Sequence, residues 1–369
     1  MIKVFEPSIS YKDIYSVIKS LLKNEISGTS KVVYEFEKKF AQFTNRQFAV
    51  AVSNGSTALD LAFQNFNFKK GDEVIIPSFT IISCLSAVIR AGCTPVFCDV
   101  DENTWNMSLF DIKSKITKNT KAVLLVHTYG LPSDAIEILN YCNDKNIIVI
   151  EDSSEAHGQS LEGKLCGDFG DISIFSFYAN KHITTGEGGI LVTDSKQIKE
   201  KLLLMRNLDF RSEERFQHNN LYWNYRLGGL QAALGVSQIQ NISKVINLKK
   251  KQGKNYYKIL SEFSEYVSLQ AENFKGSENH YWVFGVVLKK KGIRDKVIKE
   301  LLNSGIETRP FFWPLHEQKA IIDNQLSKSN LPISENLGRN GLYLPMGKKI
   351  TKSKQKYIVD KLISCIREL

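Results

Sequence analysis

Phe175-Ser176-Phe177-Tyr178-Ala179-Asn180-Lys181-His182-Ile183-Thr184-Thr185-Gly186-Glu187-Gly188-Gly189 is the stretch whose reading decides the fold. The apolar run Ile172 to Phe177 reads as a buried strand, and it leads within a few residues to a lysine. Three glycines then turn the chain into a second apolar run, Ile190 to Thr193. An ammonium among apolar side chains is costly unless paired or neutralised. Most lysines at strand ends are surface residues, but one chemical reason to place one here is Schiff-base formation with an aldehyde.

Three other segments supply what such an aldehyde cofactor needs. Ile147 to Ile150 reads as a buried parallel strand, with Glu151-Asp152 at its carboxyl end, where open α/β sheets bind ligands. Asp152 can there pair with a protonated ring nitrogen, although an acid after a strand is commonly a helix cap. The strand Phe48 to Val52 is followed by Ser53-Asn54-Gly55-Ser56-Thr57, which opens an apolar-periodic helix reaching about Phe66. Free N–H groups and the positive end of the helix suit a phosphate there. Gly55, Ser56 and Thr57 are the expected donors, with a hydroxyl added by Ser176, though Ser and Thr are also ordinary caps. Pro77-Ser78-Phe79-Thr80 ends the strand Glu73 to Ile76, just before a helix beginning near Thr80. Phe79 can lay its face on a flat ring, or pack in the core. Lysine, acid, phosphate donors and aromatic together describe a site for pyridoxal 5'-phosphate.

The order of these segments resembles the DegT/DnrJ group, fold-type-I pyridoxal-phosphate enzymes that aminate nucleotide-linked keto sugars. Further matching motifs are Gly92-Cys93-Thr94-Pro95-Val96-Phe97, His157-Gly158, Asn224-Tyr225-Arg226 and Leu230-Gln231-Ala232-Ala233-Leu234-Gly235. Gly305-Ile306-Glu307-Thr308-Arg309-Pro310-Phe311-Phe312 and Gly341-Leu342-Tyr343-Leu344-Pro345 complete the set. The likeness runs from Val4 to the last helix.

The resemblance implies roles. Lys181 holds the cofactor and shuttles protons, Asp152 binds the ring nitrogen, and Phe79 stacks on the ring. Ser56, Thr57 and Ser176 hold the phosphate. Position 155 touches the phenolic oxygen; the family often has glutamine there, and Glu155 resembles instead the perosamine-forming members, which act on GDP-4-keto-6-deoxy-D-mannose. Asn224 reaches the phosphate from a partner subunit, so the implied assembly is a homodimer with shared sites. Arg309 and His316, in a run that also resembles the perosamine-forming members, are candidate sugar-nucleotide contacts. L-glutamate is the implied amino donor, and surface-polysaccharide (O-antigen) biosynthesis the implied setting.

Some positions depart from the family pattern. Ser153-Ser154 stands where alanines are frequent, and Leu227-Gly228-Gly229 replaces a Met-Thr-Asn-like sequence. His182 is the departure with most consequence. A related 3-dehydratase has histidine in place of the lysine and deoxygenates its sugar; Lys181 argues here for transamination. His182 remains a candidate second base or a packing residue.

The rest of the sequence agrees with this reading. The 369 residues carry 43% hydrophobic and 24% charged side chains, ordinary for a globular protein, and exceed one core, so a large and a small domain are expected. The six cysteines (84, 93, 98, 142, 166 and 365) show no CxxC or zinc spacing, so no metal is expected and cytoplasmic thiols are. The opening Met1-Ile2-Lys3-Val4-Phe5 is too short and mixed for a signal peptide. No apolar run approaches ~18 residues, so no membrane span is expected. The net charge of +10 suits a nucleotide diphosphate, and its scattered lysines do not describe a nucleic-acid surface.

Helices are expected at about Tyr11 to Leu22 and Val32 to Phe43, and strands near 48–52, 73–77, 95–99, 121–127, 147–150, 172–177 and 190–193. This is an α/β architecture with a seven-stranded, mostly parallel sheet. The glycine turn is too short for a crossover, so its two strands can be antiparallel. Gly235 to Tyr266 reads as a helical connector, Tyr281 to Leu288 as a strand, Lys296 to Leu302 as a helix and Ile306 to Thr308 as a strand. Ser327 to Glu335 reads as a loop near the site, and Lys352 to Arg367 as the closing helix. The expected division is a large domain over 1–240 and a smaller α+β domain over 241–369. Alternatives to the aminotransferase on GDP-4-keto-6-deoxy-D-mannose are other keto substrates (UDP- or TDP-linked 4-keto-6-deoxy sugars, 3-keto sugars, a smaller phosphorylated ketone), a 3-dehydratase, and a non-catalytic regulator. The regulator would need a DNA-reading module, and no helix-turn-helix appendage is found.

Overall fold

A computed structural model describes residues 1–211, 216–322 and 329–369. Seven strands build the main sheet: β1 (Phe48–Val52), β2 (Glu73–Pro77), β3 (Thr94–Cys98), β4 (Thr120–Val126), β5 (Ile148–Asp152), β6 (Ile172–Ser176) and β7 (Gly189–Thr193). Their spatial order is β1-β7-β6-β5-β4-β2-β3. Only β7 is reversed, pairing antiparallel with both neighbours. The other pairs are parallel, because a helix crosses over between most successive strands.

These strands read as nearly continuous apolar runs because both faces are covered. Val74, Ile76, Leu124, Ile150 and Ile174 pack into one core, while Ile75, Val123, Leu125 and Val149 pack into another on the opposite face. A third cluster joins the helix Lys31–Phe43 to β6 and β7; it holds Ile190 and Val192 together with Phe36, Phe40, Phe175 and Phe177, whose rings meet with centroids about 5 Å apart.

A second sheet holds β8 (Val267–Leu269), β9 (Phe284–Leu288), β10 (Arg309–Pro310) and β11 (Gly341–Leu344), in the antiparallel order β8-β9-β11-β10. The helices Arg294–Asn303 and Lys352–Glu368 close its core through Val297, Leu301, Ile358 and Leu362. The helix Gly229–Leu260 runs without a break across position 240. Ala232 and Val236 belong to the core beside β7, and Tyr256 and Leu260 to that of the second sheet.

Several expectations on the second half of the chain need correction. The connector helix starts and ends six residues earlier than read, at Gly229 and Leu260. The strand expected from Tyr281 starts at Phe284, since Tyr281 is left-handed (φ 48°) and breaks it. Ile306 makes an isolated bridge to Ile2 and the strand follows at Arg309. Of the expected loop Ser327 to Glu335, the first two residues lie outside the described ones, and Pro332–Asn340 is a helix with proline in its first turn. The helix expected near Thr80 begins at Ile82.

Candidate active site

The carboxyl ends of β1, β2, β4, β5 and β6 open on one cleft of about 310 Å³, closed from the far side by Trp282, Phe312 and Tyr343. Lys181 lies in the loop after β6, its side chain one-tenth exposed, with Nζ 3.3 Å from Glu155 Oε1 and 3.6 Å from the centroid of the Trp282 ring.

Asp152 ends β5 and reaches the cleft almost fully buried. Its Oδ1 accepts the Ser154 N–H at 2.9 Å, and its Oδ2 faces the Cys84 thiol at 3.6 Å. The adjacent Glu151 points the opposite way. It accepts hydrogen bonds from His127 Nε2, the hydroxyls of Ser153 and Ser173, and the backbone N–H groups of Gly167, Phe169 and Gly170. Burial alone would raise its carboxyl, but His127 and these donors bring it down to about 2. His127 Nδ1 accepts the Ser133 N–H, so its proton sits on Nε2, facing the acid. Glu151 anchors the strand end and leaves the cleft to Asp152. Glu155 also accepts the Tyr129 N–H at 3.0 Å. Burial pushes its carboxyl up to about 7, against the pull of the Lys181 ammonium.

The loop after β1 enters the helix Gly55–Asn65 through a reciprocal cap: Asn54 Oδ1 accepts the Thr57 N–H, and Thr57 Oγ1 accepts the Asn54 N–H. Thr57 is thereby committed to the cap and does not line the cleft, which corrects its expected place among the phosphate donors. Gly55 and Ser56 do line it, and their N–H groups belong to the first turn, which has no intrahelical acceptors. A Cβ on Gly55 would lie 2.8 Å from Ser176 Cβ, so only glycine lets this turn close against the Ser176 hydroxyl. Two N–H groups and a hydroxyl to donate to a phosphate, a buried carboxylate to accept from a ring N–H and a lysine amine are the groups that a phosphorylated pyridine aldehyde requires.

Phe79 is also corrected. It is fully buried, packed against Tyr129, Phe311 and Phe312, and it is Thr80 and Ile81 that face the cleft. His316 is buried beneath Ser78, with Nδ1 2.6 Å from the Ser78 hydroxyl, and is no wall of the cleft. His182 is buried with Nε2 3.3 Å from the His280 carbonyl, and burial holds its ring neutral. It lines a neighbouring cavity with Lys249 and the N-terminal segment. Arg309 lies outside the cleft, over the Phe5 ring, and pairs with Tyr343 across the second sheet. Asn224 is exposed and away from its own chain's cleft. Trp282, Phe312 and Tyr343 were not anticipated as walls; Phe312 and Tyr343 lie in segments quoted for the resemblance, whereas nothing local marks Trp282.

The model of the DegT/DnrJ/EryC1/StrS aminotransferase family matches residues 8–363. The chain belongs to this family. It is a pyridoxal-phosphate-dependent transaminase with the fold-type-I architecture. GDP-perosamine synthase of Escherichia coli O157:H7 is 35% identical over 361 residues, covering 98% of this chain and 97% of that one. Among solved structures, an aminotransferase from Psychrobacter cryohalolentis superposes with a TM-score of 0.90 at 27% identity, over 98% of this chain and 99% of that one. A GDP-4-keto-6-deoxymannose-3-dehydratase, a histidine-to-asparagine mutant with bound GDP-perosamine, superposes with a TM-score of 0.88 at 25% identity, over 98% of this chain and 100% of that one. Among the described residues no helix is long and apolar enough to cross a membrane.

Proposed function

We propose that this family member transfers the amino group of L-glutamate to GDP-4-keto-6-deoxy-D-mannose, giving GDP-perosamine and 2-oxoglutarate for surface-polysaccharide synthesis in the cytoplasm. The observation that carries the reading is Lys181 set against Glu155, in a chain aligned almost end to end with a GDP-perosamine synthase. Glu155 stands where the family often has glutamine, and by this acid the chain resembles the perosamine-forming members.

Bound pyridoxal phosphate supplies the electron sink through which an amino group passes from an amino acid to a ketone. Lys181 would hold it covalently through Nζ and, once displaced, carry the proton between donor and cofactor carbons. Asp152 would keep the ring nitrogen protonated. Gly55, Ser56 and Ser176 would bind the phosphate through two N–H groups and a hydroxyl. Glu155, within reach of Lys181, would face the phenolic oxygen and hold the lysine's proton nearby. Trp282, Phe312 and Tyr343 would shield the reacting carbons from water.

Asn224 would complete the phosphate site of a partner subunit. Its exposure supports this, as does the apolar face that Tyr11, Ile14, Tyr15, Ile18 and Leu22 present to solvent along the first helix. We also place the division between a large domain (1–240) and a small one (241–369) within the long helix. The test is a two-stage titration: L-glutamate is added to the yellow holoenzyme, then GDP-, UDP- or TDP-linked 4-keto-6-deoxy sugars. Bleaching by glutamate and recovery of colour with the GDP sugar, which gains an amino group by mass, is expected. A deoxygenated product, or recovery only with another sugar, would overturn the proposed reaction or substrate respectively.

A further inference from the structure

Trp282 carries none of the roles above beyond shielding, yet its position is heavily fixed. Its N–H donates to the Tyr129 carbonyl at 3.0 Å, its carbonyl accepts Lys249 Nζ at 3.1 Å, and its indole N–H donates to the Asn180 carbonyl at 3.0 Å. Tyr129 and Tyr281, which flank this contact on the two segments, both adopt left-handed backbone, with φ of 60° and 48°. Bulky residues rarely hold that conformation unless the surroundings impose it, and such outliers gather at functional sites. Gly130 is held there too (φ 102°), and a Cβ on it would stand 2.7 Å from the Tyr281 nitrogen and 2.8 Å from that of Trp282. The two segments therefore close only because residue 130 has no side chain.

What this strained arrangement presents is an indole face to the Lys181 ammonium, 3.6 Å from the ring centroid, with Glu155 Oε1 the only carboxylate oxygen paired with Nζ among the described residues. Tryptophan offers a cation the most favourable ring face, more so where water is excluded, and Trp282 is only 5% exposed.

We propose that Trp282 is a positioning residue, its indole face the seat that Lys181 occupies whenever its amine is not bonded to the cofactor. Lysine is long and flexible, and Lys181 also borders the neighbouring cavity beside His182 and Lys249. Glu155 and the indole together keep Nζ on the cleft side, within reach of the proton it must move. This rests on the assignment of Lys181 as the reactive lysine, not on the identity of the sugar.

The test is shape-preserving. Fluorinated tryptophans keep the size of the ring while draining its face of negative charge, and the chain has four tryptophans, of which Trp282 alone among the described residues lies under Lys181. Acetylation of Lys181, read by peptide mass in the full-length protein freed of cofactor, is expected to speed up with each added fluorine. Trp282→Leu should raise it on the order of fivefold, with Trp282→Phe in between. In the holoenzyme, Trp282→Leu should lower kcat of the glutamate half-reaction with KM unchanged, and Trp282→Phe should restore most of it. A labelling rate that is flat across the fluorine series, in protein with unchanged melting temperature, would overturn the proposal. A complete series in an enzyme that turns over none of the sugars would leave the seat standing and count against the proposed substrate alone.

Discussion

Replacing Glu155 by glutamine removes the acid beside Lys181 while keeping an oxygen for the Tyr129 N–H. Burial raises this carboxyl from its ordinary value of 4.5 to about 7. Between those values the folded chain retains a proton that the unfolded chain has released. The stability held below about pH 4.5 is therefore lost as pH rises, and the loss is nearly complete once pH passes the folded value near 7. The full difference corresponds to about 3 kcal/mol at most, from ~1.4 kcal/mol for each pH unit between the two values. Glutamine carries no charge and escapes this penalty. The Glu155→Gln protein, freed of cofactor, should accordingly gain stability over the parent at pH 8 by up to about 3 kcal/mol, the folded value near 7 already including the pull of Lys181, and match it near pH 4.5. Urea unfolding at the two pH values measures the difference directly. An equal change at both pH values, or a loss at pH 8, would refute the argument that burial governs this acid.

Glu151→Ala would leave six donors without their acceptor in a dry site, and should cost about 4 kcal/mol or more in denaturant unfolding. Because this carboxyl is held down at about 2, the stability it contributes is present above about pH 5 and lost as pH falls toward 2, and Glu151→Ala should show no such acid-side slope. Gly55→Ala would set a methyl 2.8 Å from Ser176 Cβ, and should weaken cofactor binding about tenfold or more in a fluorescence titration while leaving the melting temperature within a few degrees. His316→Ala should alter stability and leave KM for the nucleotide sugar unchanged, since His316 is buried under Ser78.

The main sheet was legible because its strands are buried on both faces and so read as apolar runs bounded by turns, as Ile148–Asp152 and Ile172–Ser176 show. Asp152, Lys181, Gly55 and Ser56 were legible for a related reason: each lies at the carboxyl end of a strand or in the loop that leaves it, and strand ends form the cleft. Thr57 was misplaced because a threonine that opens a helix can bind a ligand or close a cap, and only the geometry of Asn54 decides. Phe79 does not reach the cleft, which Thr80 and Ile81 line, because the turn after β2 sets which side chain faces it, and composition favours the aromatic. Trp282 comes from a segment about a hundred residues from Lys181, carried there by the left-handed turns at Tyr129 and Tyr281, and no local pattern announces such a contact.

The most direct test of the central claim is borohydride reduction of the holoenzyme, which fixes the cofactor to whichever lysine bears it, followed by peptide mass mapping. The account predicts a single modified peptide carrying the cofactor on Lys181, and none in Lys181→Arg. Modification at Lys249 or any other lysine, with the Lys181 peptide untouched, would contradict it.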